Sequence, residues 1–177
     1  GDGGAIFTND DDLAAAMKSI RIHGGGSDKY DNICVGINGR LDTLQAAVLL
    51  EKLAIFPDEV VERNKVAQYY SDNMPGGFIV PHVPKNYLSS WAQYSILAES
   101  KQKRDSAIEL LESHGIPTMI YYRIPLHLQK VFSDLGFREG DFPVSENAAN
   151  HIFSIPMHPY LRREQQDRIL DVLWQQS

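Results

Sequence analysis

The sequence has little cysteine, no excess of positive charge and no long uninterrupted apolar run. Cys34 is the only cysteine among 177 residues, which excludes an intramolecular disulfide and favours a reducing compartment. The net charge of −6 disfavours sequence-independent binding to nucleic acid or to an anionic membrane. Glu51 and Lys52 interrupt the longest apolar stretch, residues 44–56, which therefore does not predict a transmembrane helix. We expect a cytoplasmic protein whose partners are small molecules or proteins.

The composition is that of a globular chain, with 43% hydrophobic and 23% charged residues. A chain of this length can form one or two small domains. Cys34 lies between the apolar residues Ile33 and Val35, and this setting predicts a buried, unreactive thiol.

The first 75 residues predict one strand and three helices. The apolar run at residues 5–8 predicts a buried strand, and the acidic stretch after it offers N-caps for a helix over residues 13–20. A second helix is predicted after Asn38 or Gly39, and Pro57 is typical of the first turn of a third. Because a lone strand is not stable in water, we expect the chain to be part of a longer protein.

The remaining residues predict a mixture of strands and helices. The Pro-Gly-Gly sequence at residues 75–77 predicts a boundary, because it combines a helix-stopping residue with flexible ones. Gly115 is predicted to end one helix in a left-handed conformation, and Asp141 is predicted to cap another that starts at Pro143. The predicted strands cover residues 78–80, 91–97, 116–122 and 152–155, and the predicted helices cover residues 104–114, 143 onward and 164–175.

The segment 36–42 is a candidate anion site. It places Asn38, Arg40 and Asp42 within one turn of the predicted start of the second helix, where free backbone N–H groups and the helix dipole favour an anion. The alternative is that Asn38 is simply the N-cap of that helix, and that Arg40 and Asp42 make ordinary surface contacts.

A second candidate site is the run YYRIPLHL at residues 121–128. Tyr121, Tyr122 and His127 follow a predicted strand and could orient a polar ligand. The alternative is that the tyrosines lie at the edge of the core and that His127 caps a loop. A metal site made of His127, His151 and His158 is not favoured, because no metal-binding spacing supports it.

Several motifs in this order resemble the nucleotide-sugar aminotransferases of the DegT/DnrJ/StrS family, which are pyridoxal-phosphate (PLP) enzymes of fold type I. The segments that carry the resemblance are GDGGAIFTNDDDLA at residues 1–14, RIHG at 21–24, GINGRLDTLQAAVLLEKL at 36–53, HGIPTMIYYRIPLHLQ at 114–129, and the DFPVSENAA and SIPMHPYL segments beyond them. The nearest similarity is to enzymes that aminate the 3-keto group of a UDP-linked N-acetylated hexuronic acid, with glutamate as amino donor.

The resemblance implies a fold and a division into domains. The chain is expected to be the C-terminal part of an aspartate aminotransferase-like α/β fold: residues 1–75 form the incomplete end of the PLP-binding large domain, and residues 76–177 form the small α/β domain. The lysine that binds PLP covalently is expected before Gly1, so no catalytic residue is assigned within the chain. The chain alone is expected to be inactive.

The resemblance also implies roles for particular residues. Asn38 is expected to contact the cofactor phosphate of the neighbouring subunit in a homodimer with shared active sites, and Arg40 to meet an acidic group of the substrate. Tyr121, Tyr122 and His127 are expected to line the sugar side of the pocket in their own subunit. The whole enzyme would aminate a UDP-linked keto-sugar during synthesis of cell-surface polysaccharide precursors such as those of lipopolysaccharide.

Two other functions remain open on the sequence. One is a non-catalytic assembly or regulatory module built on the same fold. The other is an unrelated hydrolase that uses His127 with a carboxylate, and it predicts turnover by this chain alone.

Overall fold

The computed structural model describes residues 3–28 and 30–176 of the chain. They form two compact units, Gly1–Phe56 and Pro57–Ser177. The first two residues of the GDGGA motif, and Lys29, lie outside the described residues.

The first unit contains α1 (Asp11–Arg21) and the beginning of α2 (Thr43–Asn73). The Asp10 carboxylate caps α1, because it accepts a hydrogen bond of 2.9 Å from the backbone N–H of Leu13. Acidic residues in the first turn and basic residues in the last turn complement the helix dipole. These features confirm the helix predicted over residues 13–20.

The strand predicted over residues 5–8 is wrong. The segment has no regular secondary structure, and the side chains of Ile6 and Phe7 are 78% and 92% exposed. An extended apolar segment becomes a strand only when a neighbour takes up its backbone hydrogen-bonding groups. The described residues supply no such neighbour for this segment.

The segment between α1 and α2 is attached to the end of α1 through its backbone. The N–H of Gly39 donates to the carbonyl of Arg21 at 2.8 Å, and an isolated β-bridge joins Asn38 to Ile22. Gly24 has a positive φ of 74°, and a Cβ atom built there would lie 1.8 Å from the Cys34 carbonyl oxygen. Only glycine therefore fits at position 24.

The buried thiol predicted at Cys34 is also wrong, because the side chain is exposed. Its apolar neighbours are exposed as well, Ile33 by 66% and Val35 by 97%. The local run of apolar residues does not fold against a core in this unit. The hydroxyl of Ser19 lies 3.6 Å from the Cys34 Sγ atom.

A single helix replaces the two that were predicted on either side of Pro57. Asp42, not Asn38, caps α2, because its Oδ1 atom accepts a hydrogen bond of 2.8 Å from the backbone N–H of Leu44. The helix then continues through Pro57. An interior proline removes one N–H donor and its ring crowds the carbonyl four residues earlier, which costs about 3 kcal/mol, and α2 continues despite this cost.

The second unit is built on a three-stranded antiparallel sheet in the order β1 (Phe78–Ile79), β2 (Tyr94–Ala98) and β3 (Ile152–Ile155). Ser95 of β2 lies opposite Ser154 of β3, and their hydroxyl oxygens are 2.7 Å apart. The strands predicted at residues 78–80, 91–97 and 152–155 are confirmed, with ends that differ by up to three residues.

Three further helices complete the second unit. Ser100 caps the first of them through a hydrogen bond from the backbone N–H of Lys103. The predicted left-handed Gly115 follows it, with a φ of 69°. The helices are α3 (Lys101–Ser113), α4 (Pro143–His151) and α5 (Arg163–Trp174), and two short 3-10 helices, Leu126–Leu128 and Lys130–Leu135, precede α4.

The hydrophobic core of this unit lies between the sheet and its helices. Burying one large apolar side chain contributes about 1.5–3 kcal/mol. At the edge of the core, the indole N–H of Trp91 donates to Asn64 Oδ1 at 3.0 Å, and its ring centroid lies 5.5 Å from that of Tyr94. The largest fully buried side chains include those of Tyr70, Tyr94, Ile96, Leu111, Phe153 and Leu173.

Two predictions within the second unit are wrong. Residues 116–122 do not form a strand, and only Met119 forms a bridge, with Ser154 of β3. Pro117 lacks the N–H needed to extend the pairing. Asp141 does not cap α4, because its carboxylate accepts from the backbone N–H of Arg138 instead.

The boundary between the compact units lies between Phe56 and Pro57, within α2. The division into a large-domain segment, residues 1–75, and a small domain, residues 76–177, remains a prediction. Within residues 3–28 and 30–176, no helix is both long enough and apolar enough to span a membrane.

Candidate functional site

Asn38 and Arg40 lie in the first unit, on the segment attached to the end of α1. Both side chains are exposed, and the Arg40 Nε atom donates to Asn38 Oδ1 at 3.4 Å. This contact leaves the Asn38 amide nitrogen without a hydrogen-bond partner among the described residues. A side-chain amide donor and a guanidinium group therefore lie side by side, and both can bind anionic oxygens.

The start of α2 is less suited to an anion than the sequence predicted. Asp42 Oδ1 already accepts hydrogen bonds from the backbone N–H groups of Leu44 and Gln45, at 2.8 and 3.4 Å. A carboxylate in this position satisfies the free helix donors and repels a second anion. Any anion at this site would be bound by Asn38 and Arg40 rather than by the helix terminus.

Tyr121 and Tyr122 lie in the second unit, just after the point where the chain is attached to β3. Met119 and Ser154 exchange two backbone hydrogen bonds of 3.2 and 2.7 Å, which fix the segment that leads to the tyrosines. The two rings are in edge contact, with centroids 5.6 Å apart. Tyr122 is 72% exposed, whereas Tyr121 is half-buried.

The two tyrosines line a cavity of about 370 Å³. The rest of its wall comes from the segment that follows them, including Leu126 and Gln129, and from α4, including Ser145 and Ala148. The lining is mainly apolar with a few hydroxyl and amide groups, which is typical of a site for a small polar molecule with an apolar face.

His127 does not line this cavity. Its side chain is only 8% exposed, and its Nε2 atom is 2.9 Å from Oε1 of Glu146 in the first turn of α4. The imidazole also packs against Phe142, with ring centroids 4.7 Å apart. Its predicted role as a direct contact to the sugar remains a prediction.

Glu146 is a residue of this region that the sequence reasoning missed. Its carboxylate accepts hydrogen bonds from the backbone N–H groups of Gly140 and Phe142 as well as from His127. The hydrogen bond from the Gly140 backbone, together with those from His127 and Phe142, holds the pKa of the Glu146 carboxyl below its usual range. The acid in the first turn after Pro143 was a visible signal, but its partner is 19 residues away in the sequence.

The described residues form neither a metal site nor a site for covalent attachment of PLP. Among the described residues, no three His, Cys, Asp or Glu side chains are arranged to hold a metal ion. The lysines in the same part of the chain are exposed apart from Lys103, whose side chain is 15% exposed and whose ammonium group forms an ion pair of 3.2 Å with the exposed Glu99. A lysine that binds PLP covalently needs a desolvated amine, and none of the described lysines provides one.

The arrangement of helices and strands is that of a PLP-dependent transferase. A DegT/DnrJ/EryC1/StrS aminotransferase from Brucella abortus superimposes with a TM-score of 0.86 and 47% sequence identity, over 94% of this chain and 44% of that structure. The Streptomyces venezuelae protein DesV gives a TM-score of 0.87 at 30% identity, over 95% of this chain and 45% of that one.

The chain belongs to the DegT/DnrJ/EryC1/StrS aminotransferase family, whose model matches residues 1–174. Enzymes of this family use PLP. The chain is 44% identical to the UDP-2-acetamido-2-deoxy-3-oxo-D-glucuronate aminotransferase of Pseudomonas aeruginosa, over 91% of this chain and 43% of that protein. It is 41% identical to a pleiotropic regulatory protein of Geobacillus stearothermophilus, over 97% of this chain and 46% of that protein. The chain thus spans about half the length of these relatives, and its family membership argues against an unrelated hydrolase.

Proposed function

We propose that the protein containing this chain is a PLP-dependent aminotransferase that transfers an amino group from glutamate to a UDP-linked keto-sugar. The reaction would supply precursors of cell-surface polysaccharides, such as lipopolysaccharide, in the cytoplasm. The observation that carries the proposal is the family match over residues 1–174, together with 44% identity to a relative named for the amination of a UDP-linked 3-keto sugar acid. PLP supplies the electron-accepting ring that carries the amino group between the two substrates.

The chain would contribute to cofactor binding through Asn38. Its amide N–H group has no partner among the described residues and is of the right type to donate to a phosphate oxygen. Among the described residues, Asn38 would bind the phosphate end of the cofactor. The lysine that binds PLP covalently would lie outside the chain, which accordingly would be inactive alone.

Arg40, Tyr121 and Tyr122 would contact different groups of the sugar. Arg40 is suited to the acidic group of a hexuronic acid, because a guanidinium group can form two parallel hydrogen bonds with a carboxylate. Tyr121 and Tyr122 offer hydroxyl groups and ring faces to a sugar in the cavity that they line. His127 would lie on the sugar side of the same pocket.

The direct test uses the full-length protein with PLP, a UDP-linked 3-keto-N-acetylhexuronate and glutamate that carries a heavy-nitrogen label. The expected product is the labelled UDP-amino sugar, detected by mass spectrometry. A matched reaction with a dTDP-linked keto-sugar tests the choice of nucleotide. Absence of any labelled amino sugar with either acceptor would refute the proposal.

A regulatory function is the second candidate, because one relative with 41% identity is named a pleiotropic regulatory protein. The full-length protein would then bind PLP or a sugar nucleotide without turnover. The amination assay separates the two candidates, since a protein that only regulates gives no labelled product.

The shared active site of a C2 homodimer can be tested by complementation. One full-length variant loses the lysine that binds PLP, and the other carries Arg40→Ala. If Arg40 serves the neighbouring subunit, a mixed dimer has one intact site and one site with both lesions. Half the dimers in an equal, reassorted mixture are mixed, so about a quarter of wild-type activity should return. Recovery no higher than the mean of the two parents, with mixed dimers verified by native mass spectrometry, would show that Arg40 acts within its own subunit or not at all.

The expectation that this chain lacks the cofactor lysine has its own test. The 177-residue chain is incubated with PLP, reduced with borohydride and mapped by mass spectrometry. Scattered, low labelling is expected, because exposed amines react weakly with aldehydes. One lysine labelled close to stoichiometrically would contradict the proposal.

A further inference from the structure

The walls of the cavity lined by Tyr121 and Tyr122 come from two parts of the chain that are joined by one side-chain pair. Leu126 and Gln129 lie on the segment containing the 3-10 helix Leu126–Leu128, whereas Ser145 and Ala148 lie on α4. His127, between the first two, is paired with Glu146, next to Ser145. The pair is therefore placed where it can fix the distance between the two walls.

The Glu146 carboxylate is held firmly on its own side of this pair. Its two oxygens accept from the backbone N–H of Gly140 at 3.0 and 2.9 Å, and Oε1 also accepts from Phe142 at 3.2 Å. These donors surround the start of α4, where a negative charge is favoured by the helix dipole. Glu146 thus offers a fixed acceptor to the imidazole.

His127 is held less firmly, by one hydrogen bond and one ring contact. Its Nε2 atom donates to Glu146, and its ring packs on Phe142, which in turn packs on Phe137 at a centroid distance of 5.1 Å. Leu126 is 73% exposed and contributes little apolar anchoring. The position of this wall therefore depends on the imidazole and its acceptor.

We propose that Glu146 is a positioning residue for the sugar cavity, because it holds His127 and with it the segment that carries Leu126 and Gln129 against α4. This inference rests on the proposed function in assigning the cavity to the sugar. His127 acts through the shape of the wall, because its side chain is paired with Glu146 and does not line the cavity. Losing the pair should weaken sugar binding and leave the binding of the amino donor unchanged.

The test compares four variants of the full-length protein. His127→Phe keeps an aromatic ring beside Phe142 but cannot donate, whereas His127→Gln places an amide donor near the position of Nε2. Glu146→Gln keeps the shape but weakens the acceptor. Glu164→Gln is the matched control, because Glu164 is also in the first turn of a helix, α5, and is exposed.

The expected result is a split between the two substrates. His127→Phe and Glu146→Gln should each raise the KM for the sugar about tenfold, while the KM for the amino donor stays within about twofold. The double variant should be no worse than either single variant, because both changes break the same interaction. His127→Gln should recover much of the sugar affinity, and Glu164→Gln should behave as wild type.

Several results would overturn the inference. If His127→Phe raises the sugar KM and Glu146→Gln does not, His127 contacts the sugar directly. If the two effects multiply in the double variant, or if both KM values rise together, the pair has no specific role in the sugar cavity. If His127→Gln binds the sugar no more tightly than His127→Phe does, the pair likewise has no specific role in the sugar cavity.

Hydrogen exchange separates failure of this inference from failure of the proposed function. Backbone amides of residues 126–135 should exchange several-fold faster in His127→Phe and Glu146→Gln than in wild type, whether or not the protein aminates a sugar. If the wild-type protein does not aminate a sugar but the two variants still exchange faster than it does, only the proposed function is refuted. Unchanged exchange in both variants refutes the role of the pair.

Discussion

The two compact units of the chain differ in how their apolar residues are used. In the first unit, Gly24 is the only buried residue among those described, and α1 buries none of its side chains. In the second unit, helices and sheet enclose a continuous core that includes Tyr94, Phe153 and Leu173. The first unit contains comparable apolar residues, but they are exposed.

The difference shows which interactions support each unit. The first unit is held by local features, such as the Asp10 cap and the backbone bond from Gly39 to Arg21. Such interactions contribute about 1 kcal/mol each, whereas ordering one residue costs about as much or more. The second unit adds burial of apolar side chains, which is the dominant favourable contribution to folding. The isolated 177-residue chain should therefore show two levels of local stability.

Hydrogen exchange of the isolated chain should show the largest contrast. Amides of α1 should exchange roughly a thousandfold faster than those of α5, because opening costs little where nothing is buried and several kcal/mol within a core. The measurement is exchange followed by mass spectrometry of peptides from each helix. Equal protection of the two helices would mean that the first unit has a core that the structure does not show.

Two leucine substitutions should separate the units by stability. Leu173→Ala removes a fully buried side chain and should cost about 2–5 kcal/mol in the free energy of unfolding. Leu44→Ala removes a side chain that is 80% exposed in α2 and should cost less than about 0.5 kcal/mol. Urea denaturation followed by circular dichroism measures both. Similar losses for the two variants would contradict the comparison.

Two helix caps provide a smaller contrast. Asp10 caps α1 and Ser100 caps α3, each by accepting a hydrogen bond from a backbone N–H three residues later. Replacing either capping residue by alanine should lower the stability of its helix by about 1 kcal/mol. Asp10→Ala should speed exchange in α1 about fivefold without moving the urea midpoint, whereas Ser100→Ala should lower that midpoint. A lower midpoint for Asp10→Ala would show that α1 unfolds together with the core.

Alkaline pH should affect the second unit through Tyr94. Burial raises the pKa of Tyr94 to about 12, above the value of 10.0 for an unperturbed tyrosine. Between these values the unfolded chain loses the proton and the folded chain keeps it, so stability falls as the pH rises. Tyr94→Phe should make the urea midpoint less sensitive to alkaline pH.

At neutral pH, Tyr94→Phe should cost only about 0.5 kcal/mol, because the Ser71 hydroxyl also donates to the Ala67 carbonyl. The matched control is Tyr30→Phe in the first unit, where the side chain is 86% exposed. This substitution should leave the dependence of the urea midpoint on alkaline pH unchanged. A Tyr94→Phe protein that loses stability with rising pH as steeply as wild type would show that another group is responsible.

Local sequence signals predicted the elements whose causes are local. The acidic cap before α1, the left-handed Gly115 after α3 and the apolar runs of β2 and β3 are all visible in the sequence, and the structure has them. The strand at residues 5–8 and the burial of Cys34 were wrong, because both depended on neighbours that an apolar run does not specify. The sequence predicts a helix start at Pro57, but Pro57 lies within α2.

The candidate site was predictable to a similar extent. The cluster of polar side chains at Tyr121 and Tyr122 was visible, and the structure places both on one cavity. The pairing of His127 with Glu146 was not, because it joins residues in separate helices through a fold that the spacing does not reveal. Asn38 and Arg40 lie beside each other as their spacing suggested, but the cap at the start of α2 is Asp42.

The environment of Trp91 makes tryptophan fluorescence a probe of the second unit. Trp91 and Trp174 are the only tryptophans in the sequence, and both belong to the second unit. Trp91 is half-buried and bonded to Asn64, whereas Trp174 is 55% exposed, so a soluble quencher should reach Trp174 first. Emission that persists at high quencher concentration then comes from Trp91 and reports on the core directly, while loosening of the first unit leaves that fluorescence unchanged.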